Sequence, residues 1–304
     1  MKLQVLETRP QFLILSVLLV FHGTALAAAM DYAVNWLHVV LAIVGLVLLH
    51  ASANVLNDWH DYSKSGIDLE VRQTPFSGGS GLMPAGKISI KGALQLGIGT
   101  LVAGCLIGFY LVCQVQVLWG AGLTLLIIGA VGALSVVLYT PVLARIGLGE
   151  IFAGLSLGTL PVVGTYFLLT GHLDAVAWIS GIPAGLLTYN LLLLNEFPDT
   201  DADIAGGRHH MVVLLGRRGA RWLYSAVEIA VYVALVAGVA FGGLSPWALI
   251  GLGGSFFAFK AIANTMKQYD SFEGIIPGMG MNVFSVLGTN ALMAVGYAIA
   301  AIIA

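Results

Sequence analysis

The sequence predicts an all-α membrane protein built as one domain, 1–304, and three observations support this prediction. Hydrophobic residues make up 59% of the chain and charged residues only 9%, whereas a soluble domain carries about 25% charged residues. The apolar residues form long runs, and a helix of about 20 such residues crosses the hydrocarbon core of a bilayer. Short polar breaks separate the runs and leave little sequence for a water-soluble domain. The lipid bilayer is therefore the expected environment of the chain.

Nine apolar runs are long enough to form membrane-spanning helices. In chain order, the predicted spans are 11–29, 35–56, 92–113, 117–138, 148–170, 175–195, 220–242, 245–265 and 283–303. The first run also resembles a cleavable secretory signal, because basic residues precede an apolar core that ends at Ala25-Leu26-Ala27. We expect this run to be a permanent span, with signal cleavage as the alternative.

The 13 Lys and Arg residues test this division of the chain, because basic residues collect in cytoplasmic connections. They precede the first span and then fall only in or beside every second connection. They are Lys2, Arg9, Lys64, Arg72, Lys87, Lys91, Arg145, Arg208, Arg217, Arg218, Arg221, Lys260 and Lys267. The alternation predicts nine spans with a cytoplasmic N-terminus. A multi-pass protein of the inner (cytoplasmic) membrane is the expected result.

Small residues inside the spans indicate how the helices pack. Gly154 and Gly158 lie four residues apart on one helix face, and this spacing predicts close approach of a neighbouring backbone. Cys105 and Cys113 fall within one apolar stretch, which predicts small buried side chains and no structural disulfide. Glu228 lies inside the seventh span, where a charge is costly, and a functional role and a buried, paired or protonated side chain both remain open.

Seven of the 15 acidic residues concentrate in two short segments at cytoplasmic ends of spans, 54–68 and 195–203, and the first follows span two. Its Asn54, Asn57, Asp58 and Asp61 are spaced by three and four residues, so they share one face if the helix continues. Asp68 follows in the same connection. The segment thus predicts a group of amides and carboxylates at one helix end.

The second acidic segment follows span six and repeats this pattern. Asn195, Asp199 and Asp203 are spaced by four residues and share a helix face, although Pro198 can distort that turn. Carboxylates held together repel each other unless a cation is present. Mg²⁺ is held by one or two carboxylates together with ligand phosphate oxygens. Two such segments facing each other therefore predict a Mg²⁺ and diphosphate site, with ordinary polar helix caps as the alternative.

The histidines of these segments do not change this prediction. His60, His209 and His210 raise the question of a transition metal, but the surrounding carboxylates favour a hard cation. We expect the three histidines to be exposed near the membrane interface. The connections 57–91 and 196–219 are long enough to form a lid over the site.

Both acidic segments resemble motifs of a known family, the UbiA superfamily of intramembrane prenyltransferases. Asn57-Asp58-x-x-Asp61 followed by Asp68 resembles its first Asp-rich motif, and Asp199-x-x-x-Asp203 with Gly207-Arg208 resembles its second. The segments Thr74-Pro75-Phe76-Ser77-Gly78-Gly79-Ser80-Gly81 and Asn195-Glu196-Phe197-Pro198-Asp199 are similar to the branch that prenylates 1,4-dihydroxy-2-naphthoate in menaquinone biosynthesis.

The resemblance implies nine helices around a central cavity and a Mg²⁺-dependent transfer of a polyprenyl group from its diphosphate to a small aromatic acceptor. It implies a metal site formed by Asn57, Asp58, Asp61, Asp68, Asp199 and Asp203. It implies diphosphate binding by Asn54, Asn57, Lys64, Arg72, Asn195 and Arg208. Tyr139 would face the reacting carbon and Glu150 would support acceptor binding. We expect no nucleic acid partner, and the sequence does not indicate a protein partner.

Alternatives remain for several residues and for the protein as a whole. Tyr139 also fits a membrane-interface anchor, Glu150 also fits charge compensation at a helix N-terminus, and the basic residues also fit solvated loops. The acceptor can be 4-hydroxybenzoate, a tetrapyrrole or a glycerol lipid instead. A secondary transporter is the non-enzyme alternative, but transporter sites usually lie near the bilayer midplane.

Overall fold

The computed structural model describes residues 2–67 and 72–303, and within these ranges the chain is helical and contains no strand. The helices are α1 (Lys2–Glu7), α2 (Pro10–Ala29), α3 (Trp36–His60), α4 (Ile90–Trp119), α5 (Gly122–Leu138), α6 (Gly149–Gly154), α7 (Leu160–Thr170), α8 (Ala175–Ala205), α9 (Met211–Phe241), α10 (Ser255–Gln268) and α11 (Phe272–Ile303). A π-helical turn, Asp61–Ser65, extends α3, and another, Leu155–Thr159, joins α6 to α7. A 3₁₀ segment, Pro246–Gly254, leads into α10.

Eight helical segments are long and apolar enough to cross a membrane. They are Pro10–Ala29, Trp36–Ser65, Ile90–Trp119, Gly149–Thr170, Ala175–Ala205, Met211–Phe241, Pro246–Gln268 and Phe272–Ile303. The remaining predicted span corresponds to α5, an apolar helix of 17 residues. Each of the nine predicted runs is thus helical, which confirms the all-α membrane fold. Nine crossings and a cytoplasmic N-terminus stay predictions.

Several helices are longer than their apolar runs. Helix α8 continues to Ala205, α9 begins at Met211 and α11 begins at Phe272, well outside the predicted limits. Hydropathy marks the part of a helix that suits lipid, whereas backbone hydrogen bonding continues into the polar residues beyond it. The acidic segment after span six is therefore helix α8 itself and not a loop.

Helix α7 lies at the centre of the bundle. All 11 of its residues are buried, as expected for a helix that is apolar on every side. Gly154 and Gly158 pack against α8, where a Cβ atom on either residue would come within 2.7 Å of a backbone atom of the Ala184–Gly185 pair. The close backbone approach predicted from their spacing is confirmed.

The outer surface of the bundle is apolar. Large side chains such as Val117, Phe241 and Ile302 are exposed, and an apolar surface of this extent fits contact with lipid. The thiols of Cys105 and Cys113 are free and also exposed. The expectation that they are buried is wrong, because the face of α4 that carries them points away from the other helices.

Glu228 is paired inside the bundle. Its carboxylate accepts hydrogen bonds from Asn190 Nδ2 at 2.8 Å and from Ser285 Oγ at 2.6 Å. These contacts connect α9 to α8 and α11. Since both oxygens have a donor, Glu228 has a structural role as a link between three helices.

Candidate active site at the ends of α3 and α8

A cavity of about 210 Å³ opens where the acidic ends of α3 and α8 meet. Its deeper wall is apolar and includes Phe12, Leu46, Leu49, Phe152 and Leu192. The polar part of the lining consists chiefly of Arg9, Asn54, Asn57, Asp61, Tyr139, Asn195, Glu196, Asp199, Asp203 and Arg208. The cavity therefore joins a charged mouth to a chamber that suits an apolar chain.

Helix α3 positions the first motif. Because the chain stays helical through the π turn, Asn54, Asn57 and Asp61 all face the cavity. Asn57 Nδ2 donates to Asp61 Oδ2 at 2.9 Å, and the hydroxyl of Thr140 donates to Asn57 Oδ1 at 3.0 Å. These bonds hold the amide and carboxylate at fixed positions in the wall. π turns inside helices occur frequently at functional sites.

Helix α8 positions the second motif. The helix continues through Pro198, so Asn195, Asp199 and Asp203 remain on one face and line the cavity. Asp203 is 1% exposed. The possible distortion at Pro198 does not separate these three side chains.

A glycine-rich loop connects the two motifs. Asp58 accepts a hydrogen bond from Ser80 N at 2.7 Å. Asp199 accepts from the Ser77 hydroxyl at 3.0 Å and from Gly78 N at 3.1 Å. Gly79 lies between them, with a positive φ of 71°, and a Cβ on it would come within 3.2 Å of Asp58 Oδ1. One short loop at the cavity mouth therefore donates hydrogen bonds to both carboxylates.

Arg208 joins the two helices directly. It donates to Asp203 Oδ1 at 3.0 Å, to Asp61 Oδ2 at 2.5 Å and to Asn57 Oδ1 at 3.2 Å. Although burial acts to lower the pKa of Arg208, the carboxylates of Asp61 and Asp203 raise it above its ordinary value. A guanidinium can bridge several acceptors in this way because its donors lie in a planar fork.

Several oxygens of the two motifs are available for a cation. Asp58 Oδ1, Asp61 Oδ1 and Asn195 Oδ1 are buried, and none has a hydrogen-bond partner among the described residues. Carboxylate and amide oxygens are ligands for hard divalent cations, and Mg²⁺ usually takes only a few of them from a protein. The residues present at the mouth of the cavity therefore fit Mg²⁺.

Four described residues of the predicted site do not line the cavity. They are Asp58 and Glu150, which are buried, and Lys64 and Arg72. Lys64 is exposed and its Nζ lies 5.7 Å from the centre of the Trp59 ring. Arg72 is exposed and pairs with Glu273 at 2.8 Å. Within the described part of the chain, neither side chain lines the cavity, and their phosphate contacts stay predictions. Asp68 lies outside the described residues.

The lid prediction applies to a smaller part of the chain than expected. Phe76, Ser77, Gly78 and Gly79 line the cavity mouth. Much of the predicted lid segments is instead helical, namely 57–65, 196–205 and 211–219. The loop around residues 76–79 is a non-helical segment at the cavity mouth, and the turn 206–210 is a second one, from which Arg208 lines the cavity.

Tyr139 and Glu150 lie on the α5–α6 side of the site. Tyr139 lines the cavity, and burial, reinforced by the carboxylate of Glu196, raises its pKa well above the ordinary value, so that its phenol stays protonated. Glu150 is fully buried, and its Oε1 accepts a hydrogen bond from Met211 N at 2.6 Å, the first residue of α9. Glu150 thus caps a helix that is not its own.

Sequence reasoning missed four residues of the site. Arg9 lines the cavity and donates to the carbonyl of Phe76 at 2.9 Å. Glu7 accepts from the Ser80 hydroxyl at 2.7 Å, and burial raises its pKa to about 7. Glu196 lines the cavity, and its position seven residues before Asp203 could have placed it on the same helix face.

His210 is the fourth missed residue. The expectation of an exposed side chain is correct for His209. It is wrong for His60, which is half-buried, and for His210, which is 1% exposed. His210 Nε2 lies 3.0 Å from Asp203 Oδ2, and Nδ1 lies 3.3 Å from Glu196 Oε2. Burial follows because the turn after α8 folds His210 back against that helix, a tertiary contact that leaves no periodic signal in the sequence.

Comparison with known proteins supports the assignment that this geometry suggests. The chain is 29% identical over 293 residues to the 1,4-dihydroxy-2-naphthoate octaprenyltransferase of Bacillus subtilis, covering 93% of this chain and 86% of the relative. Its fold is similar to that of a UbiA homolog from Aeropyrum pernix K1, with a TM-score of 0.68 and 17% identity over 91% of this chain and 96% of the other.

A second solved structure, a UbiA homolog from Archaeoglobus fulgidus bound to DMAPP and Mg²⁺, has a TM-score of 0.57 and 14% identity, and the match covers 98% of both chains. At these identities the two structures establish the fold alone. The model of the UbiA prenyltransferase family matches residues 16–273, which is most of the sequence and includes both acidic motifs. This chain therefore belongs to the UbiA prenyltransferase family.

Proposed function

We propose that this protein transfers a polyprenyl group from an allylic polyprenyl diphosphate to 1,4-dihydroxy-2-naphthoate, in a Mg²⁺-dependent reaction of menaquinone biosynthesis. One observation carries the proposal: two carboxylate-bearing helix ends, joined by Arg208, surround the mouth of an apolar cavity. This arrangement suits a substrate with an anionic head and a long apolar tail. The tail would lie among the helices and the diphosphate at the mouth.

Some residues of the two motifs would bind Mg²⁺ and others would bind the diphosphate. Asn57, Asp58, Asp61, Asp199 and Asp203 would hold Mg²⁺, and Asp68 is proposed as a further ligand. Bound Mg²⁺ neutralises charge that develops on the departing diphosphate. The amides of Asn54 and Asn195 would donate to phosphate oxygens.

Basic residues would complete the diphosphate site. Arg208 and Arg9 line the cavity and can donate to phosphate oxygens through charge-assisted hydrogen bonds. Lys64 and Arg72 would contribute from the neighbouring connection. Tyr139 stays protonated, and its ring at the cavity wall would stabilise positive charge on the allylic carbon.

The identity of the acceptor is supported by the relative from Bacillus subtilis, whose name specifies the dihydroxynaphthoate. Glu196 lines the cavity, as Tyr139 does, and an acceptor hydroxyl can donate to its carboxylate. Glu150 is buried behind this wall and is proposed to support acceptor binding from there. Prenyl transfer at the carboxylated ring carbon would release that carboxylate as CO₂. The alternatives are 4-hydroxybenzoate, a tetrapyrrole or a glycerol lipid.

The location of the site argues for an enzyme and against a transporter. Both carboxylate groups lie at helix ends, whereas transporter sites usually lie near the bilayer midplane. The distribution of basic residues supports a cytoplasmic position for these ends, in the inner membrane. An active site on the cytoplasmic side would receive the aromatic acceptor from the cytosol.

The experiment that tests this function is incubation of the purified protein with labelled geranylgeranyl diphosphate, Mg²⁺ and a panel of acceptors, with mass analysis of the products. We expect a product with the dihydroxynaphthoate, at a mass that reflects loss of CO₂. Product with 4-hydroxybenzoate alone would identify that compound as the acceptor and would leave the proposed type of reaction unchanged. No prenylated product with any acceptor would contradict the proposal.

A further inference from the structure

Three buried polar side chains face one another beside the cavity, next to the predicted Mg²⁺ ligand Asp203. They are Glu150 at the start of α6, Glu196 on α8 and His210 immediately before α9. Their exposed fractions are 0%, 6% and 1%. One potential ligand atom from each residue lies within 4.8 Å of those from the other two.

The cluster contains polar atoms with no hydrogen-bond partner in the described part of the chain. These atoms are Glu150 Oε2, Glu196 Oε2 and His210 Nδ1. The second polar atom of Glu150 is satisfied by Met211 N at 2.6 Å, and that of His210 by Asp203 at 3.0 Å. Buried polar groups are nearly always satisfied, so three such atoms in one cluster require either a bound cation or protons shared among them.

The contact with Asp203 orients the ring of His210. An ionised carboxylate only accepts hydrogen bonds, so His210 Nε2 carries a proton toward Asp203 Oδ2. In the neutral ring, Nδ1 then presents a lone pair to Glu196 Oε2, which is 3.3 Å away. Two lone pairs in this position repel each other unless a cation or a proton lies between them. Histidine ligands of metals usually donate their other ring N–H to a carboxylate in this way.

We propose that Glu150, Glu196 and His210 bind one divalent cation of the borderline class, such as Zn²⁺, Mn²⁺ or Fe²⁺. One imidazole nitrogen with two carboxylate oxygens favours these ions, whereas the oxygen-only ligands around Asp58 and Asp199 favour Mg²⁺. Ligand atoms about 2.0–2.2 Å from such an ion lie roughly 3.3 Å apart. This matches the distance between His210 Nδ1 and Glu196 Oε2.

The cation would link three elements of the fold. Glu150 would bind the cation from α6, Glu196 from α8, and His210 from the position immediately before α9. Glu196 also lines the cavity, and His210 contacts Asp203, so the cation would fix two residues of the active-site wall. The metal site does not depend on which acceptor is used or on whether transfer occurs, although it would share Glu150 and Glu196 with the proposed acceptor site.

Metal content tests the proposal. The full-length protein is expressed, purified in detergent with excess Mg²⁺, and analysed by mass spectrometry of its metals. We expect about one equivalent of a borderline metal per chain, and a loss of at least tenfold in His210→Gln and Glu196→Gln. His209→Gln is the matched control, because His209 is the adjacent, exposed histidine, and it should retain the metal.

A spectroscopic measurement identifies the ligands and does not depend on folding of the variants. Wild-type protein is stripped, loaded with Mn²⁺ in excess Mg²⁺, and examined by pulsed electron paramagnetic resonance. We expect nitrogen modulation from one histidine ligand and a rise in Tm on loading. Absence of a nitrogen-coordinated ion in the wild type would overturn the proposal, since it would mean that protons shared by the cluster satisfy these atoms instead. Nitrogen modulation that persists in His210→Gln would also overturn it.

Discussion

At the residue scale, Arg208 is the contact through which the two acidic helix ends meet. Its guanidinium bonds to Asp61 of the first motif and to Asp203 of the second. The buried carboxylates outnumber the cations around them, and unpaired buried charge is strongly unfavourable. The surplus of negative charge is the physical reason to expect cations at this site.

Substitution of Asp199 tests its proposed role in metal binding. We expect Asp199→Asn to lower the rate of prenyl transfer by about 100-fold or more, because it removes a proposed ligand of Mg²⁺. A 100-fold loss corresponds to ~2.7 kcal/mol of transition-state stabilisation. Asp201→Asn is the control, since Asp201 lies on the same helix with 83% of its side chain exposed and pairs with Arg217. Product formation over time with labelled substrate measures both rates.

Comparable activity in Asp199→Asn and Asp201→Asn would show that the second motif does not hold the metal. A loss in both variants would point to a general effect of charge on α8. The pair separates these outcomes because both substitutions remove one carboxylate and change the side-chain volume equally.

Residue types and spacing were sufficient to predict the members of the two motifs. The helical steps from Asn54 to Asp61 and from Asn195 to Asp203 follow from the period of the α-helix. Spacing could not predict Arg9 or His210, because each reaches the site through a turn and a long-range contact. Glu196 was predictable from its helix face, because it lies seven residues before Asp203.

At the element scale, the loop of residues 76–81 controls the relative position of the two helix ends. Ser77 and Gly78 bind Asp199, and Ser80 binds Asp58. Gly79 has left-handed backbone geometry, which most residues adopt at a cost of about 1–2 kcal/mol. The sequence of this segment resembles that of one branch of the family, but its hydrogen bonds to both carboxylates depend on tertiary structure.

Gly79→Ala tests the loop. The added Cβ would lie 3.2 Å from Asp58 Oδ1, so we expect displacement of this carboxylate and a roughly tenfold or greater loss of transfer rate. Gly86→Ala is the control, because Gly86 has a similar φ of 66° and no described neighbour within 4 Å of the added atom. Both variants carry backbone strain, so their Tm values should fall by similar amounts.

A transfer rate that falls equally in the two glycine variants would mean that backbone strain, and not contact with Asp58, is responsible. Normal rates in both would show that the loop does not position the carboxylate during turnover.

Glu228 tests a link between elements. Glu228→Ala removes the acceptor for Asn190 and Ser285, and we expect the free energy of unfolding to fall by about 1–3 kcal/mol. Glu228→Gln keeps an acceptor oxygen, so its free energy of unfolding should fall by less. Thermal unfolding in detergent, followed by circular dichroism, measures the difference.

Equal stability of Glu228→Ala and the wild type would remove the structural role assigned to this carboxylate. A large loss of transfer activity in Glu228→Gln without a change in Tm would instead indicate a functional role.

At the scale of the whole molecule, the apolar bundle and its charged rim form one substrate site. The all-helical membrane fold was predictable because hydropathy records which segments suit lipid. Helix ends were less predictable, since hydrogen bonding carries α8 and α9 into polar sequence. The π turn between α6 and α7 was not predictable from hydropathy, because hydropathy does not record which backbone carbonyl each N–H group bonds to.

The central claim is that the acidic ends of α3 and α8 together hold Mg²⁺ around a diphosphate. Equilibrium binding of labelled geranylgeranyl diphosphate to chelator-stripped protein, with and without added Mg²⁺, tests it most directly. The account predicts binding that depends on Mg²⁺ and weakens about tenfold or more in both Asp61→Asn and Asp203→Asn. Equal affinity in chelator and in Mg²⁺, or affinity unchanged by both substitutions, would contradict it.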